Sequence, residues 1–216
     1  MDRIFDSRRD AARRLAAALG GWRGRNPLVL AIPRGAVPMA AEIARALEGE
    51  FDVVLVRKLR APDAPELAVG AVDETGWTYI AAHAAEVGAN AEWLAREKAE
   101  QLALLRRRRA RYTPARPPAD PAGRVAIVVD DGIATGSSMI AALHAVRAKK
   151  PATLVCAVPV AAPASLERVR AHADEVVCLE TPEDFIAVGQ FYRDFSQVDD
   201  DEVVALLAGR PPARPQ

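Results

Sequence analysis

Residues 128–138 read VVDDGIATGSS. They close the apolar run VAIVV at 125–129 and lead into a stretch where Met139, Leu143 and Val146 recur at spacings of four and three. The pattern predicts a buried strand, an acidic edge at Asp130 and Asp131, a small-residue turn carrying hydroxyls, and the start of an amphipathic helix. Main-chain N–H groups at such a turn have no partner within the helix, and the helix dipole favours an anion beside them. Two carboxylates at the same edge would repel a bare phosphate. They suit a ligand that also offers hydroxyls or a divalent cation, and a sugar phosphate with a cis-diol, bound with a metal, satisfies both halves. The other reading is an ordinary strand–turn–helix, with Asp130 and Asp131 as solvated strand-end residues.

Outward from this stretch the chain alternates strand and helix signals. Residues 10–19 read as a helix, 28–32 as a buried strand broken by Pro33-Arg34-Gly35, 38–47 as a helix and 51–56 as a second strand running into Arg57 and Lys58. The alternation then stops: 59–66 is a Pro-containing loop, and 67–80 carries a hairpin signal around Asp73-Glu74-Thr75-Gly76. Asn90 is placed to cap a helix reaching about residue 111, and four prolines mark 112–123 as a linker. Further strands are expected at 125–130, 153–160 and 175–179, with helices at 164–173 and 201–207; residues 210–216 read as a frayed tail. Five buried-type strands with intervening helices predict an α/β fold with a doubly wound, mainly parallel five-stranded sheet. Ligands bind at the carboxyl ends of strands in such sheets. Arg34-Gly35, Arg57-Lys58 and Asp130-Asp131 all fall at predicted strand ends.

The 216 residues suffice for one domain with a sizeable core. Lys plus Arg equal Asp plus Glu at 29 each, so the overall field gives no reason to expect nucleic-acid or membrane binding. Cys156 and Cys178 lie in apolar strand-like runs and read as two buried thiols rather than a disulfide framework or metal site. His83, His144 and His172 show no metal-ligand spacing, and no GxxxxGK loop points to an NTPase. No apolar stretch is long enough for a bilayer, and MDRIFDSRRD lacks a signal-peptide core, so a cytoplasmic protein is expected.

The segment 128–138 resembles the 5-phosphoribosyl-1-pyrophosphate (PRPP) signature of type I phosphoribosyltransferases, in which apolar residues precede two acids and a Thr-Gly turn. The resemblance implies Mg²⁺-dependent transfer of the 5-phosphoribosyl group of PRPP to a nitrogen acceptor, such as a nucleobase, with release of pyrophosphate. It also implies that Ala134, Thr135, Gly136, Ser137 and Ser138 cradle the 5′-phosphate, while Asp130 and Asp131 face the ribose hydroxyls and metal-bound waters. Ile32-Pro33-Arg34-Gly35 is similar to the family's pyrophosphate loop. Arg34, Gly35, Arg57 and Lys58 are then the pyrophosphate-binding candidates, and Arg34 and Lys58 join the two acids as catalytic candidates; Arg34 reads equally as a solvent-facing turn residue, and Arg57-Lys58 as an exposed edge. Residues 59–74 stand where the family carries a flexible catalytic loop, and read either as a lid or as a rigid connector. The segment FIAVG at 185–189 looks like the base-pocket region of hypoxanthine-type members, with Phe185 as stacking platform or as core aromatic.

The chain departs from that subgroup at Ala134, where those members have a third carboxylate, and in offering no Lys along 154–159. Glu66, Asp73 and Glu74 are candidates for a general base by position only. Most of the chain resembles a bacterial group of uncharacterised phosphoribosyltransferase-like proteins, through IPRGAVPMA, DVVLVRKLRAPDAPELAVGAV, VVDDGIATGSS and PEDFIAVGQFYRDFSQVDDDEV. The resemblance favours a homodimer. The expected organisation is one domain over 1–216, with a core of about 1–62 and 119–182 and a lid or hood of about 63–118 completed by 183–209. A cluster at Arg106, Arg107, Arg108 and Arg109, with Arg111 and Arg116, reads as a solvated helix end or a phosphate- or nucleic-acid-binding patch. The patch would favour a second function, a PRPP-binding regulator without transferase activity.

Overall fold

The computed structural model describes residues 3–114 and 117–209. The chain begins with a short strand β1 (Phe5–Ser7) and helix α1 (Arg8–Ala18), whose N-terminus is capped by the Ser7 hydroxyl accepting from Asp10 N–H at 3.3 Å. Strand β2 (Leu28–Ala31), helix α2 (Val37–Leu47) and strand β3 (Glu50–Val53) follow as a parallel crossover unit. Next come β4 (Val56–Arg60), β5 (Ala68–Asp73) and β6 (Thr78–Ile80), then the long helix α3 (Ala91–Tyr112). The remaining elements are β7 (Val125–Val129), α4 (Ser137–Arg147), β8 (Thr153–Val160), α5 (Pro163–Arg170), β9 (Glu175–Glu180), β10 (Tyr192–Asp194) and α6 (Asp200–Leu207).

The central sheet has five parallel strands in the order β3-β2-β7-β8-β9. Its inner strands β2, β7 and β8 read as continuous apolar runs because both faces are covered. Val29, Ala31, Ile127, Val129, Val155 and Ala157 enter the core beneath α1 and α2. Their neighbours Leu28, Leu30, Ala126, Val128, Leu154 and Cys156 enter the core beneath α4 and α5. The period-two alternation of a strand thus feeds two separate cores, and the doubly wound α/β expectation is met. Among the described residues no helix is long and apolar enough to cross a membrane.

The second strand is where the sequence reading needs correction. The apolar run 51–56 is not one strand: β3 stops at Val53, and Val56 opens β4 in a separate antiparallel sheet of order β4-β5-β6. Val53, Val54 and Val56 are all buried, so hydrophobicity stays continuous while the chain changes sheets. The separate sheet therefore opens at Val56. Half of 59–74 is strand, with Val69, Ala71 and Val72 fully buried, and 61–67 connects β4 to β5 as a loop. The predicted hairpin is present: Asp73 Oδ1 accepts from Thr75 N–H at 2.8 Å and Trp77 N–H at 3.0 Å, and Gly76 takes φ +92°. Asn90 caps α3, accepting from Trp93 N–H at 2.9 Å. Strands β1 and β10 pair in parallel, Phe5 opposite Tyr192, and were not anticipated, since three residues are too few to display a periodicity. Arg116 and the tail 210–216 lie outside the described residues.

Candidate active site

Helix α4 starts at the carboxyl edge of the central sheet. Its N-cap, Gly136, adopts φ +79°, a left-handed conformation that glycine takes without steric cost. The turn before it is pinned from behind. Ile133 N–H donates to Val160 O at 2.9 Å, Ala134 O accepts from the Ser165 hydroxyl at 2.6 Å, and Thr135 O accepts from Arg168 at 3.2 Å. The carbonyls of Ala134 and Thr135 thus have partners within the protein. Among the described residues, none of the main-chain N–H groups of Ala134, Thr135, Gly136, Ser137 and Ser138 donates to a protein acceptor. Ala134, Thr135, Gly136 and Ser138 line a cavity of about 170 Å³ together with Lys58, Asp130, Asp131, Gly132, Ile133, Met139 and Val188. Ser137 is buried and does not line it.

The two acids are held differently. Asp130 Oδ1 accepts from Asp131 N–H at 2.9 Å. Burial, then the neighbouring Asp131 charge, pushes the Asp130 carboxyl well above its usual range, against the opposing pull of Lys58 and Arg8. Burial also raises Asp131, but Arg8 opposes it directly. Arg8 Nε and Nη2 both reach Asp131 Oδ2, at 2.9 and 2.8 Å. The Tyr192 hydroxyl donates to Asp131 O at 2.6 Å, fixing its main chain. A Cβ on Gly35 would collide with Asp131 Oδ2 and lie 3.0 Å from Arg8 Nε. Gly35 is therefore required for close approach, and its φ lies outside the left-handed region.

A second cleft of about 280 Å³ adjoins the first, and Lys58 and Ser138 line both. Its other walls include Ile32 and Pro33 of the loop after β2, Arg57 and Arg60 of β4, Glu66, and Arg108 of α3. The cations crowd one another: burial, then Arg108 and Arg60, hold the Arg57 guanidinium below its ordinary value. Arg57 donates to Gln101 at 2.8 Å, while Arg60 pairs with the buried Glu97 at 2.8 Å.

Asp130, Asp131, Lys58 and four of the five cradle residues therefore share one cavity, and Arg57 lies in the adjoining cleft. Arg34 lines neither; its Nη1 stands 3.8 Å from Asp200 Oδ1, and the Pro33–Arg34 peptide is cis. Asp200 in turn accepts from the Tyr112 hydroxyl at 2.5 Å and from Arg111 at 3.1 Å. Phe185 packs against Phe191, ring centroids 5.1 Å apart, and Val188 is the tail residue that reaches the cavity. Gly132 makes room for it, since a Cβ there would stand 2.6 Å from Val188 Cγ1. Of the positional base candidates, Glu66 lines the basic cleft. Asp73 is fully buried in its own turn, and Glu74 is paired with Arg109 at 2.9 Å. The arginine cluster is not one surface: Arg106 and Arg107 are exposed, Arg108 faces the cleft, Arg109 binds Glu74 and Arg111 binds Asp200 and Asp201. Cys156 is buried as expected, but Cys178 is only half-buried. The site roles of Arg8, Tyr192 and Arg108 were missed. Arg8 sits in a charged N-terminal stretch without periodicity, and only the meeting of both chain ends gives it a role.

The candidate site thus joins an unbonded amide turn, an acidic pair and two adjoining cavities at the carboxyl edge of a parallel sheet in an α/β domain. The chain belongs to the phosphoribosyl transferase domain family, whose model matches residues 2–196. It is 44% identical over 207 residues to a protein of Mycobacterium tuberculosis named provisionally as a phosphoribosyl transferase, found in strains CDC 1551 / Oshkosh and H37Rv. That match covers 95% of this chain but 46% of the relative, so the chain spans about half the length of the curated relatives it matches. The crystal structure of TT1426 from Thermus thermophilus is 48% identical, with a TM-score of 0.80 over 95% of this chain and 98% of that one.

Proposed function

We propose that the domain is a Mg²⁺-dependent phosphoribosyltransferase, moving the 5-phosphoribosyl group of PRPP to a nitrogen acceptor, a nucleobase, with release of pyrophosphate. The observation that carries this reading is the set of unbonded amides at 134–138 sharing a cavity with Asp130, Asp131 and Lys58. The amides and the α4 dipole bind the 5′-phosphate. Asp130 and Asp131 accept from the ribose hydroxyls. Lys58 stands between the two cavities, and with Arg57 in the second cleft it neutralises the pyrophosphate as the C1–O bond breaks. Arg34 reaches the same charge once it leaves Asp200.

The residues present suit a hydrated divalent cation. Asp130 is a half-buried carboxylate without a cationic hydrogen-bond partner, and no group of three or more His, Cys, Asp or Glu among the described residues could hold an ion alone. Mg²⁺ would be held by PRPP oxygens, with Asp130 and Asp131 acting through water, and would supply charge neutralisation. Catalysis rests on placement and on charge arranged in advance, with no covalent enzyme intermediate.

The test is pyrophosphate release from PRPP and Mg²⁺ against a panel of nucleobases. Release that depends on one base supports the reading. PRPP binding without release for any acceptor would favour the regulator instead.

A further inference from the structure

We propose that Arg8 is a positioning residue for the acidic pair: it fixes the Asp131 carboxylate through one oxygen and offsets its charge, so that Asp130 and Asp131 can face the sugar phosphate side by side. The inference rests on the transferase reading and adds to it a residue outside the PRPP-signature segment.

The geometry is that of a built joint. Both Arg8 Nε and Nη2 converge on one oxygen, Asp131 Oδ2, and the two side chains are 14% and 17% exposed. Arg8 is itself held on two further sides. Its Nη1 donates to Ser196 O at 2.6 Å, and its guanidinium lies 3.8 Å from the centre of the Phe195 ring. The residue starts α1 directly after β1, so its base is rigid. Gly35 leaves the volume that the pair fills. Adjacent buried carboxylates repel each other and also repel the polyanion the cavity has to admit. With Arg8 in place that repulsion is reduced, and the Asp131 carboxylate is held in one orientation at the cavity.

Removing the guanidinium strands a buried carboxylate beside Asp130. The experiment measures binding of PRPP with Mg²⁺ by calorimetry, and initial rates at varied PRPP. It compares wild type, Arg8→Ala, Arg8→Lys, Asp131→Asn and the double variant Arg8→Ala/Asp131→Asn. Arg8→Ala should weaken PRPP binding roughly tenfold or more, and its KM for PRPP should move further than its kcat. Arg8→Lys, which keeps the charge but loses the fork, should fall between. Free guanidinium ion should restore part of the lost affinity. In the Asp131→Asn background the Arg8→Ala change should cost far less, because the two act through one contact. Should the alanine variant fail to fold, Arg8→Lys carries the same comparison.

Unchanged PRPP affinity in a folded Arg8 variant overturns the inference alone, as do strictly additive effects in the double variant. A wild type that binds no PRPP overturns the transferase reading, and the inference with it.

Discussion

Gly35 and Asp131 compete for one volume. A Cβ on Gly35 would fall inside contact distance of Asp131 Oδ2 and 3.0 Å from Arg8 Nε and Nη2. The loop after β2 and the acid after β7 thus lock together through the absence of a side chain, which ties that loop to the acidic edge of the cavity.

Gly35→Ala should therefore cost about 1–3 kcal/mol of stability through overpacking. It should also displace Asp131 and weaken PRPP binding. Thermal melts and calorimetry on the variant check both, and an unchanged melting temperature with unchanged affinity would refute the shared-volume account.

At the head of α4, Gly136 holds φ +79°, and a Cβ would stand 3.3 Å from Val169 Cγ2. Gly136→Val should strain the turn by about 1–3 kcal/mol and weaken phosphate binding. Gly136→Asn should be milder, because Asn tolerates the left-handed region. Equal losses in the two variants would show that backbone conformation is not what the site demands of this position.

Val188 and Phe185 should separate in kinetics. Val188 lines the cavity that holds the amide turn and the acidic pair, so Val188→Phe should raise KM for PRPP as well as for the acceptor several-fold. Phe185 is half-buried against Phe191, so Phe185→Ala should cost about 1–2 kcal/mol of stability, less than a fully buried Phe. An acceptor KM that moves for Phe185 and not for Val188 would return the stacking role to Phe185.

Glu97 supplies a pH-dependent fastening between α3 and β4. Burial alone would raise its carboxyl, but hydrogen bonds from the Arg60 side chain and main chain, joined by Gln101, hold it below its usual range. A depressed folded-state value stabilises above the unfolded value of about 4.3 and is lost as pH falls through the folded value. Wild type should exceed Glu97→Gln in melting temperature at neutral pH, and the gap should close as the solution is taken below about pH 4. A gap that is constant across that range would assign Glu97 a packing role only.

The central sheet was legible because its strands are buried on both faces, so Leu28 to Ala31 and Val125 to Val129 stand out as unbroken apolar runs. The turn at 134–138 was legible for a related reason: small residues between a strand and a helix mark a tight turn. The sheet change at residues 54–55 was hidden by that same burial, since Val56 is as apolar in the hood as Val53 is in the core. Arg8 could not be read locally. Its partners Asp131 and Ser196 lie 123 and 188 positions away, and charge without periodicity carries no address. The arginines of α3 looked alike in sequence because helical rotation, and not composition, sends Arg108 to the cleft and Arg109 to Glu74.

The pairing of Phe5 with Tyr192 spans 187 positions of chain. Contacts that close so long a loop form late, after local structure has condensed. A growing polypeptide can complete the β7–α4 turn and its amides well before residues 192–196 leave the ribosome, yet the clamp on Asp131 needs both extremities at once. Competence for ligand therefore arrives in a single late step, and a product truncated before Tyr192 would keep most of its sheet while lacking a finished site.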